Sequence, residues 1–183
     1  MKYTSEVFQR LSRGQFISSN SIDPTVRAIY NNIEDNQKDY EDFFDQIDFL
    51  LSCGDGYYYF SRKEQKVTTE NKLKSLSPWI DYLDFFTTYD STFDSGTQFT
   101  LAQMEVRVMS DVELRDKLEH LFEDKSSVHD KLVNLANLLV SSGFAEVVNE
   151  VDGKYQVTMA FRYITHIIEC LNIDEEIKNE IPE

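Results

Sequence analysis

The clearest pattern of hydrophobic and polar positions lies in residues 130–168, where a helical period gives way to two runs of alternating residues. Leucines recur at three- and four-residue steps up to Gly143, which indicates one apolar helical face closed by a residue suited to a helix C-terminus. Apolar and polar residues then alternate through Val147–Val151 and Tyr155–Met159, on either side of Asp152-Gly153. This pattern predicts a β-hairpin, because Asp-Gly is a strong signal for a tight turn between two strands.

The first part of the chain predicts a similar succession of elements. A short helix is expected around Leu11, a brief strand at residues 15–18, and a helix opened by the capping pair Asp23-Pro24. The next helix is expected to run over Asp35–Cys53, with Tyr40, Phe43 and Ile47 among the residues of its apolar face, and to stop at Gly54-Asp55-Gly56.

Further strands and helices follow in the rest of the chain. The aromatic run Tyr57–Phe60 is typical of a strand, and Lys66-Val67-Thr68 is predicted as its short return strand. Ser77-Pro78 predicts the cap of a strongly apolar helix, and Gln98-Phe99-Thr100 another short strand. Phe161–Leu171 has the period of a closing helix. Helix caps are also predicted at Thr100, at Asp111 and at Ser126 or Ser127.

The two halves of the chain repeat one order of elements. Gly14–Ser18 is similar to Gly96–Thr100, and Leu50–Gly54 is similar to Leu138–Gly143. Each half is expected to run helix, short strand, helix, helix, glycine stop, hairpin, helix. We interpret this order as an α+β, mainly α fold made of two tandem winged helix-turn-helix domains joined near residues 69–78.

The length of 183 residues is enough for two such small domains. We expect the first at residues 1–72, the second at residues 73–173, and an acidic tail, partly ordered at best, at residues 174–183. Neither a secretory signal nor an apolar stretch of the ~18–20 residues that cross a bilayer is found, so a cytoplasmic protein is predicted.

The charge of the chain argues against independent DNA binding. The formal net charge is -15 and the isoelectric point is near 4.5, whereas duplex binding depends on Lys and Arg that neutralise phosphates. The helix of the first domain that would enter the major groove has a strongly acidic polar face over Asp35–Asp48, against a lone Lys38. Arg62, Lys63 and Lys66 form one small basic cluster, which fits either a solvated turn or a phosphate contact made inside a larger assembly.

No pattern of catalytic or metal-binding residues stands out. His120, His129 and His166 have no His or Cys partner at the spacing of metal ligands, so no metal site is expected. The sequence also lacks a Gly-rich phosphate loop and a Gly-x-Ser-x-Gly elbow. Cys53 and Cys170 are expected to be buried thiols rather than a disulfide. We therefore predict a protein that is not an enzyme and needs no cofactor.

Aromatic residues are the candidate contact residues of this chain, and they make up 13% of it. Adjacent residues of a strand face opposite ways, so a run of four aromatic residues must show some of them on its outer face. Two interpretations stay open: core packing between the two domains, or burial against a second copy or another chain. The residues concerned are Tyr57, Tyr58, Tyr59, Phe60, Phe85, Phe86 and Tyr89.

Runs of residues spread over nearly the whole length have the character of one known family. They are Leu11–Ile17, Tyr40–Phe44, Gly56–Arg62, Trp79-Ile80, Leu83–Phe86, Gly143-Phe144, Tyr155–Val157 and Phe161–Ile164. In these runs the chain resembles MukE and its relatives MksE and JetC, the tandem winged-helix subunits of bacterial condensin-like SMC complexes. Its short length is closer to that of MksE.

This resemblance implies a set of partners. It implies a homodimer formed largely through the first domains, and binding to a MukF- or MksF-like kleisin subunit that bridges the SMC ATPase heads. ATP would be bound by the SMC subunit, and DNA would be held only within the assembled, nucleoid-associated complex. The implied roles are DNA organisation, chromosome segregation or defence against plasmids.

Our hypothesis is thus a non-enzymatic accessory subunit that binds a kleisin. Two alternatives from other classes remain. One is a winged-helix transcriptional regulator that binds DNA by itself, which would show a steep loss of duplex affinity with added salt. The other is an acidic protein that mimics DNA and inhibits a nucleic-acid enzyme, and the acidic residues of Asp35–Asp48 motivate it.

Overall fold

The computed structural model describes residues 1–61, 76–122 and 127–180, with the backbone alone for residues 171–180. The described residues form two units, and each unit contains a three-stranded antiparallel sheet with helices packed around it. The α+β, mainly helical class predicted from the sequence is confirmed.

The first unit begins with two helices on either side of a very short strand and ends in a hairpin. Its elements are α1 (Thr4–Leu11), β1 (Ile17–Ser18), α2 (Pro24–Asp35), α3 (Gln37–Asp45), β2 (Leu50–Gly54) and β3 (Tyr57–Ser61). The strand order is β1-β3-β2, so the last strand lies in the middle of the sheet.

The second unit has the same kinds of element. They are α4 (Pro78–Tyr89), β4 (Gln98–Thr100), α5 (Leu101–Ser110), α6 (Val112–Leu121), α7 (Val128–Ser141), β5 (Ala145–Asn149), β6 (Lys154–Val157) and α8 (Phe161–Glu180). The strand order is β4-β6-β5, which matches the first sheet strand for strand. The similarity of Gly14–Ser18 to Gly96–Thr100 therefore reflects a structural correspondence, because β1 and β4 are the equivalent edge strands.

The second hairpin lies where the alternating pattern predicted it. β5 and β6 pair in antiparallel fashion, with Ala145 opposite Val157. The connection runs over residues 150–153, so it is longer than the two-residue turn expected at Asp152-Gly153, and the register shifts between Val147 and Asn149. The predicted hairpin is confirmed, while Val151 belongs to the exposed loop instead of to a strand.

The helix predicted over Asp35–Cys53 is wrong at both ends. Its first residue closes α2, and α3 ends at Asp45. Asp48 then has a φ of 63°, a left-handed conformation that does not continue a helix. Leu50–Gly54 forms β2, which pairs with β3 and in which Leu51 is the one buried residue.

Gly54-Asp55-Gly56 forms the turn of the first hairpin and does not stop a helix. Gly54 lies opposite Tyr57, and a side chain at position 54 would collide with the Tyr57 ring. Gly56 has a φ of 83°, which favours glycine. The hairpin partner of β3 is therefore β2, whereas the return strand predicted at Lys66-Val67-Thr68 lies outside the described residues.

Two details of the predicted repeat differ from the structure. Leu50–Gly54 is a strand whereas Leu138–Gly143 closes α7, so these two segments are not equivalent. In the described chain, three helices separate β4 from β5 and two separate β1 from β2. The closing helix α8 also continues to Glu180, past the predicted end at Leu171 and into the expected tail.

Most of the predicted helix caps are confirmed. Asp23 accepts a hydrogen bond from the Thr25 amide, and the equivalent bonds begin α5, α6 and α7. The capping residues of those three helices are Thr100, Asp111 and Ser127. Ser77 is the exception, because it has helical backbone angles and its side chain makes no capping bond.

Each unit has its own hydrophobic core, and β3 contributes to both. Tyr58 belongs to the core of the first unit, where its ring centroid lies 5.2 Å from that of Tyr30. Tyr57 points the other way and belongs to the core of the second unit. Alternation along one strand therefore places neighbouring tyrosines in two different cores.

The two units are joined by hydrogen bonds centred on Asn20. Its side-chain amide donates to the Val157 carbonyl at 3.0 Å, and its Oδ1 accepts from the Met159 amide at 2.8 Å. The Asn20 carbonyl accepts from the Gln156 side chain at 2.9 Å. One residue of the first unit thus satisfies backbone groups at the end of β6, where a buried unpaired group would be costly.

Charged side chains near Asn20 also form bonds between the two units, and we call these contacts and those of Asn20 the Asn20 joint. The Glu146 carboxylate accepts from the Ser21 hydroxyl at 2.7 Å and from the Ile22 amide at 2.6 Å. Arg162 pairs with Asp55 of the first hairpin and, at 3.3 Å, with Asp94. The units are therefore fixed to each other by directional bonds as well as by apolar contact.

Replacing Asn20 by Ala is expected to lower the free energy of unfolding by about 2 kcal/mol, since two side-chain bonds to backbone groups of the second unit are lost. Urea denaturation followed by circular dichroism measures this change. Asn31→Ala, on the exposed side of α2, is the matched control and should change the midpoint little. Equal effects of the two substitutions would show that the Asn20 joint does not stabilise the fold.

Candidate partner-binding surfaces

The four consecutive aromatic residues of β3 divide between two faces of the strand. Tyr57 and Tyr58 are buried, whereas Tyr59 and Phe60 are half-buried. The ring centroid of Tyr59 lies 4.9 Å from that of Tyr163. Tyr57 and Tyr59 thus contribute to the junction between the units, which is the core-packing interpretation. Phe60 lies at the surface of the first unit.

Phe16 completes the aromatic junction between the units. Its ring centroid is 5.9 Å from those of Tyr57 and Tyr59, 5.6 Å from that of Phe144 and 5.2 Å from that of Tyr163. Rings of both units therefore interlock around a residue of the loop before β1, which explains part of the aromatic content without any partner.

The second aromatic group, at the end of α4, is mostly internal. Phe85 and Phe86 are fully buried, and Phe86 stacks on Phe93 with ring centroids 4.5 Å apart. Tyr89 is half-buried and lines a groove of about 700 Å³ together with Val106. Tyr89 is therefore the member of this group that has surface available to a partner.

A surface that the sequence analysis did not single out lies on the first unit. It combines three exposed residues with two half-buried rings, and we name it the phenylalanine patch. Its members are Phe8, Phe43, Ile47, Phe49 and Phe60. The exposed fractions are 36% for Phe8, 39% for Phe43 and 45% for Ile47, which is high for large apolar side chains.

The rings of the phenylalanine patch are held against one another. Phe8 meets Phe49 edge-on with centroids 5.3 Å apart, and Phe49 packs on Phe60 at 4.9 Å. Beneath them lies the fully buried Phe44, 4.8 Å from Phe60 and 5.3 Å from Phe43. The patch is therefore a preformed surface, anchored to the core of the first unit.

The sequence did contain a signal for this patch. Phe43 and Phe44 are adjacent on α3, and neighbouring residues of a helix point about 100° apart, so a helix buried along one narrow face exposes one of the two. A helix that continues to Cys53, as predicted, instead puts Phe43 and Ile47 on its apolar face. With α3 ending at Asp45, Phe44 is buried and Ile47 lies in the exposed segment before β2.

Carboxylates flank the phenylalanine patch along the chain. Asp42 precedes Phe43, and Asp45 and Asp48 lie on either side of Ile47, with all three side chains exposed. We name these three residues the acidic rim. The predicted acidic face is thus solvated and adjoins an apolar surface. Such a rim repels phosphates and attracts Lys and Arg.

The basic cluster and the two cysteines are the other residues for which the sequence makes a prediction. Arg62, Lys63 and Lys66, the predicted phosphate contacts, lie outside the described residues. Cys53 and Cys170 are free and exposed, so their prediction as buried thiols is wrong. Cys53 lies opposite Tyr58 on the same face of β2 as Leu51, yet it is exposed, and Cys170 is exposed on α8.

The sequence predicts neither a metal site at the histidines nor a membrane-spanning segment. His129 pairs with Glu105 at 3.6 Å, and His120 contacts the Asp116 carbonyl at 2.7 Å. Within residues 1–61, 76–122 and 127–180, no group of three His, Cys, Asp or Glu side chains could hold a metal ion. In the same part of the chain, no helix is both long and apolar enough to span a membrane.

Comparison with known proteins identifies the class and then the family. The model of one protein family, described as condensin complex protein MksE, matches residues 2–168. The match defines a subunit of a condensin-like complex. The chain belongs to the MksE family, as the resemblance of its aromatic runs indicated. A comparison with curated proteins finds no match.

The tyrosines of β3 should make the fold sensitive to alkaline pH. Burial raises the pKa of Tyr57 to about 12, with Tyr59 and Tyr163 nearby, and raises the pKa of Tyr58 to about 12, with Tyr30 nearby. The folded state therefore favours the neutral phenols. Their contribution to stability is complete below the ordinary pKa of 10.0 and is lost as pH rises through about 12.

The expected outcome is a falling urea midpoint above pH 10, with a shallower fall in Tyr57→Phe. Denaturation curves between pH 8 and pH 11.5 measure it, and the phenolate absorbance of the folded protein reports the titration. The urea midpoint of each protein is compared with the midpoint of the same protein at pH 8. Complete ionisation of all 10 tyrosines near pH 10 in the folded protein would contradict the burial of these side chains.

Proposed function

We propose that this MksE-family chain is a non-enzymatic accessory subunit of a bacterial condensin-like SMC complex, and that it binds the kleisin subunit through the phenylalanine patch. The kleisin would connect it to the SMC ATPase. The observation that carries this proposal is the apolar patch itself, because it lies on a chain whose family is that of a condensin complex protein. The biological role is DNA organisation, in chromosome segregation or plasmid defence.

The domain organisation belongs to the same proposal. We infer two tandem winged-helix domains at residues 1–72 and 73–173, with residues 174–183 as an acidic tail. The support is the shared strand order, in which a short edge strand pairs with the last strand of a hairpin in each unit. A helix precedes that hairpin in each unit, as in a winged helix.

The physical reason for binding at the phenylalanine patch is the burial of apolar area. Phe43, Ile47 and Phe8 lose contact with water only if another chain covers them. Burying one such side chain contributes ~1.5–3 kcal/mol, so a few of them suffice as anchors. Phe49 and Phe60 provide a rigid floor, which reduces the entropy lost on binding.

The acidic rim narrows the choice of partner at this patch. A second copy placed symmetrically would bring Asp42, Asp45 and Asp48 against the same carboxylates, and like charges across an interface are unfavourable. A kleisin segment with Lys or Arg beside its apolar residues has the complementary charge. We therefore assign the patch to the kleisin and propose that the homodimer forms through another part of the first domain.

The remaining predicted contact residues have smaller roles in this proposal. Tyr89 and Tyr59 are half-buried and contribute edges to a partner surface. Tyr57, Tyr58, Phe85 and Phe86 support the fold beneath. DNA is held only within the assembled complex, in the nucleoid of the cytoplasm, and Arg62, Lys63 and Lys66 are the proposed phosphate contacts there.

The double substitution Phe43→Ser/Ile47→Ser is expected to weaken kleisin binding by about 100-fold, because two anchors are lost from exposed positions. Isothermal titration with the kleisin of the same organism measures the affinity. Val148→Ser/Val151→Ser, on the second unit, is the matched control. Light scattering should give the same homodimer mass for both variants. Unchanged affinity in Phe43→Ser/Ile47→Ser would refute the assignment.

The isolated protein is expected to bind duplex DNA no more tightly than ~10⁻⁴ M at physiological salt, since its charge of -15 opposes phosphate contact. Fluorescence anisotropy with a labelled duplex measures this, and the assembled complex with kleisin and SMC is the positive control. Sequence-selective submicromolar binding by the chain alone would favour a transcriptional regulator instead.

A further inference from the structure

The second unit has a groove between α4 and α6 that the proposed function does not use. Its volume is about 770 Å³. Its lining residues are Asp81 and Asp84 from α4 with Val112, Glu113, Asp116, Lys117, His120 and Leu121 from α6. It lies on the opposite unit from the phenylalanine patch.

The floor of the groove offers apolar area to a ligand. Val112 is 67% exposed, although it is a large apolar residue in the first turn of α6. Leu121, at the other end of the helix, is half-buried. Ile80 is 40% exposed and lies one helical turn from Asp84, so apolar surface continues past the edge of the groove.

The walls of the groove are strongly acidic, and one cation offsets only part of their charge. The Lys117 ammonium donates to Asp84 at 2.9 Å and to the Thr88 hydroxyl at 2.7 Å, and lies 3.2 Å from Glu113. These partners, Asp84 first, raise the pKa of Lys117. The positive charge is therefore already compensated by carboxylates inside the groove.

Two carboxylates are left to act on a ligand. Asp81 and Asp116 come from the two different helices that line the groove, and neither side chain has an ion pair or hydrogen bond with the described part of the chain. Four carboxylates against one ammonium leave a net negative charge in the groove. An anionic ligand is excluded by this charge, and a purely apolar one would leave it unmatched.

We propose that the α4–α6 groove binds a cationic amphipathic peptide segment of another protein, with apolar side chains against Val112 and Leu121 and Lys or Arg side chains near Asp81 and Asp116. Each of the two helices contributes two carboxylates one turn apart to the groove, which suits a chain that repeats its charges along its length. The charge complementarity sets the chemistry of the segment. This inference does not depend on the kleisin assignment, because it concerns a different surface.

The test uses labelled synthetic peptides and the full chain. The probe is a 14-residue peptide of Leu and Lys with helical spacing, and its controls replace Lys by Glu or Leu by Gln. We expect binding of the Leu/Lys peptide alone, measured by fluorescence anisotropy. Two-dimensional amide NMR should place the shift changes in residues 78–89 and 112–121. Shift changes confined to the first unit, or none, overturn the proposal.

Substitutions separate a specific groove from general attraction to an acidic protein. Asp81→Asn/Asp116→Asn is expected to weaken binding about fivefold, and Val112→Ser should weaken it further without changing the charge. Asp35→Asn/Asp39→Asn, on the first unit, makes the same change in net charge and should have less than half that effect. Equal losses in the two Asn pairs would overturn the groove as the binding site.

Phe43→Ser/Ile47→Ser distinguishes this inference from the proposed function. This variant should leave peptide binding unchanged and weaken kleisin binding. Because the two affinities are measured separately, one proposal can fail while the other holds. A groove filled by a second copy of the chain is also recognisable: the mass measured by light scattering would then fall in Asp81→Asn/Asp116→Asn, which contradicts a peptide site.

Discussion

The fold depends on strand β3, whose two faces belong to two different cores. Tyr58 closes the core of the first unit while Tyr57 enters that of the second, and the alternation of a strand leaves no other arrangement for adjacent residues. Phe16 and Asn20 then connect the loop around β1 to the end of β6. The relation of the units is thus decided by close-packed rings and by directional bonds, which tolerate little sliding.

The junction between the units accounts for part of the aromatic content of the chain, whereas the phenylalanine patch keeps apolar side chains exposed. Many aromatic rings are buried in the junction and in the core around α4. The phenylalanine patch is an apolar surface of the first unit that stays accessible, next to the acidic rim. The α4–α6 groove combines the same two features on the second unit. A net charge of -15 opposes contact with phosphates, and this charge is the reason for proposing polypeptides rather than nucleic acid as the partners of both surfaces.

The second hairpin, four helix caps and the correspondence of β1 with β4 are predictable from the sequence, because they depend on local patterns of a few residues. A helix is wrongly predicted through Cys53 because Leu50 and Leu51 continue a helical spacing by coincidence. Only pairing with β3 decides that this segment is a strand, and pairing is a long-range interaction that a single segment does not encode. The same extended helix puts Phe43 and Ile47 on its predicted apolar face, whereas both are exposed.

What the sequence alone determined is the class and the family: a mainly helical, strongly acidic chain with a repeated short strand and hairpin and with the aromatic runs of the MksE family. The tertiary structure decided which aromatic residues are available to partners. Tyr57, Phe85 and Phe86 look the same in sequence as Phe43 and Phe60, yet they are buried. Burial depends on which elements pack together, and that packing is settled only when both units share β3.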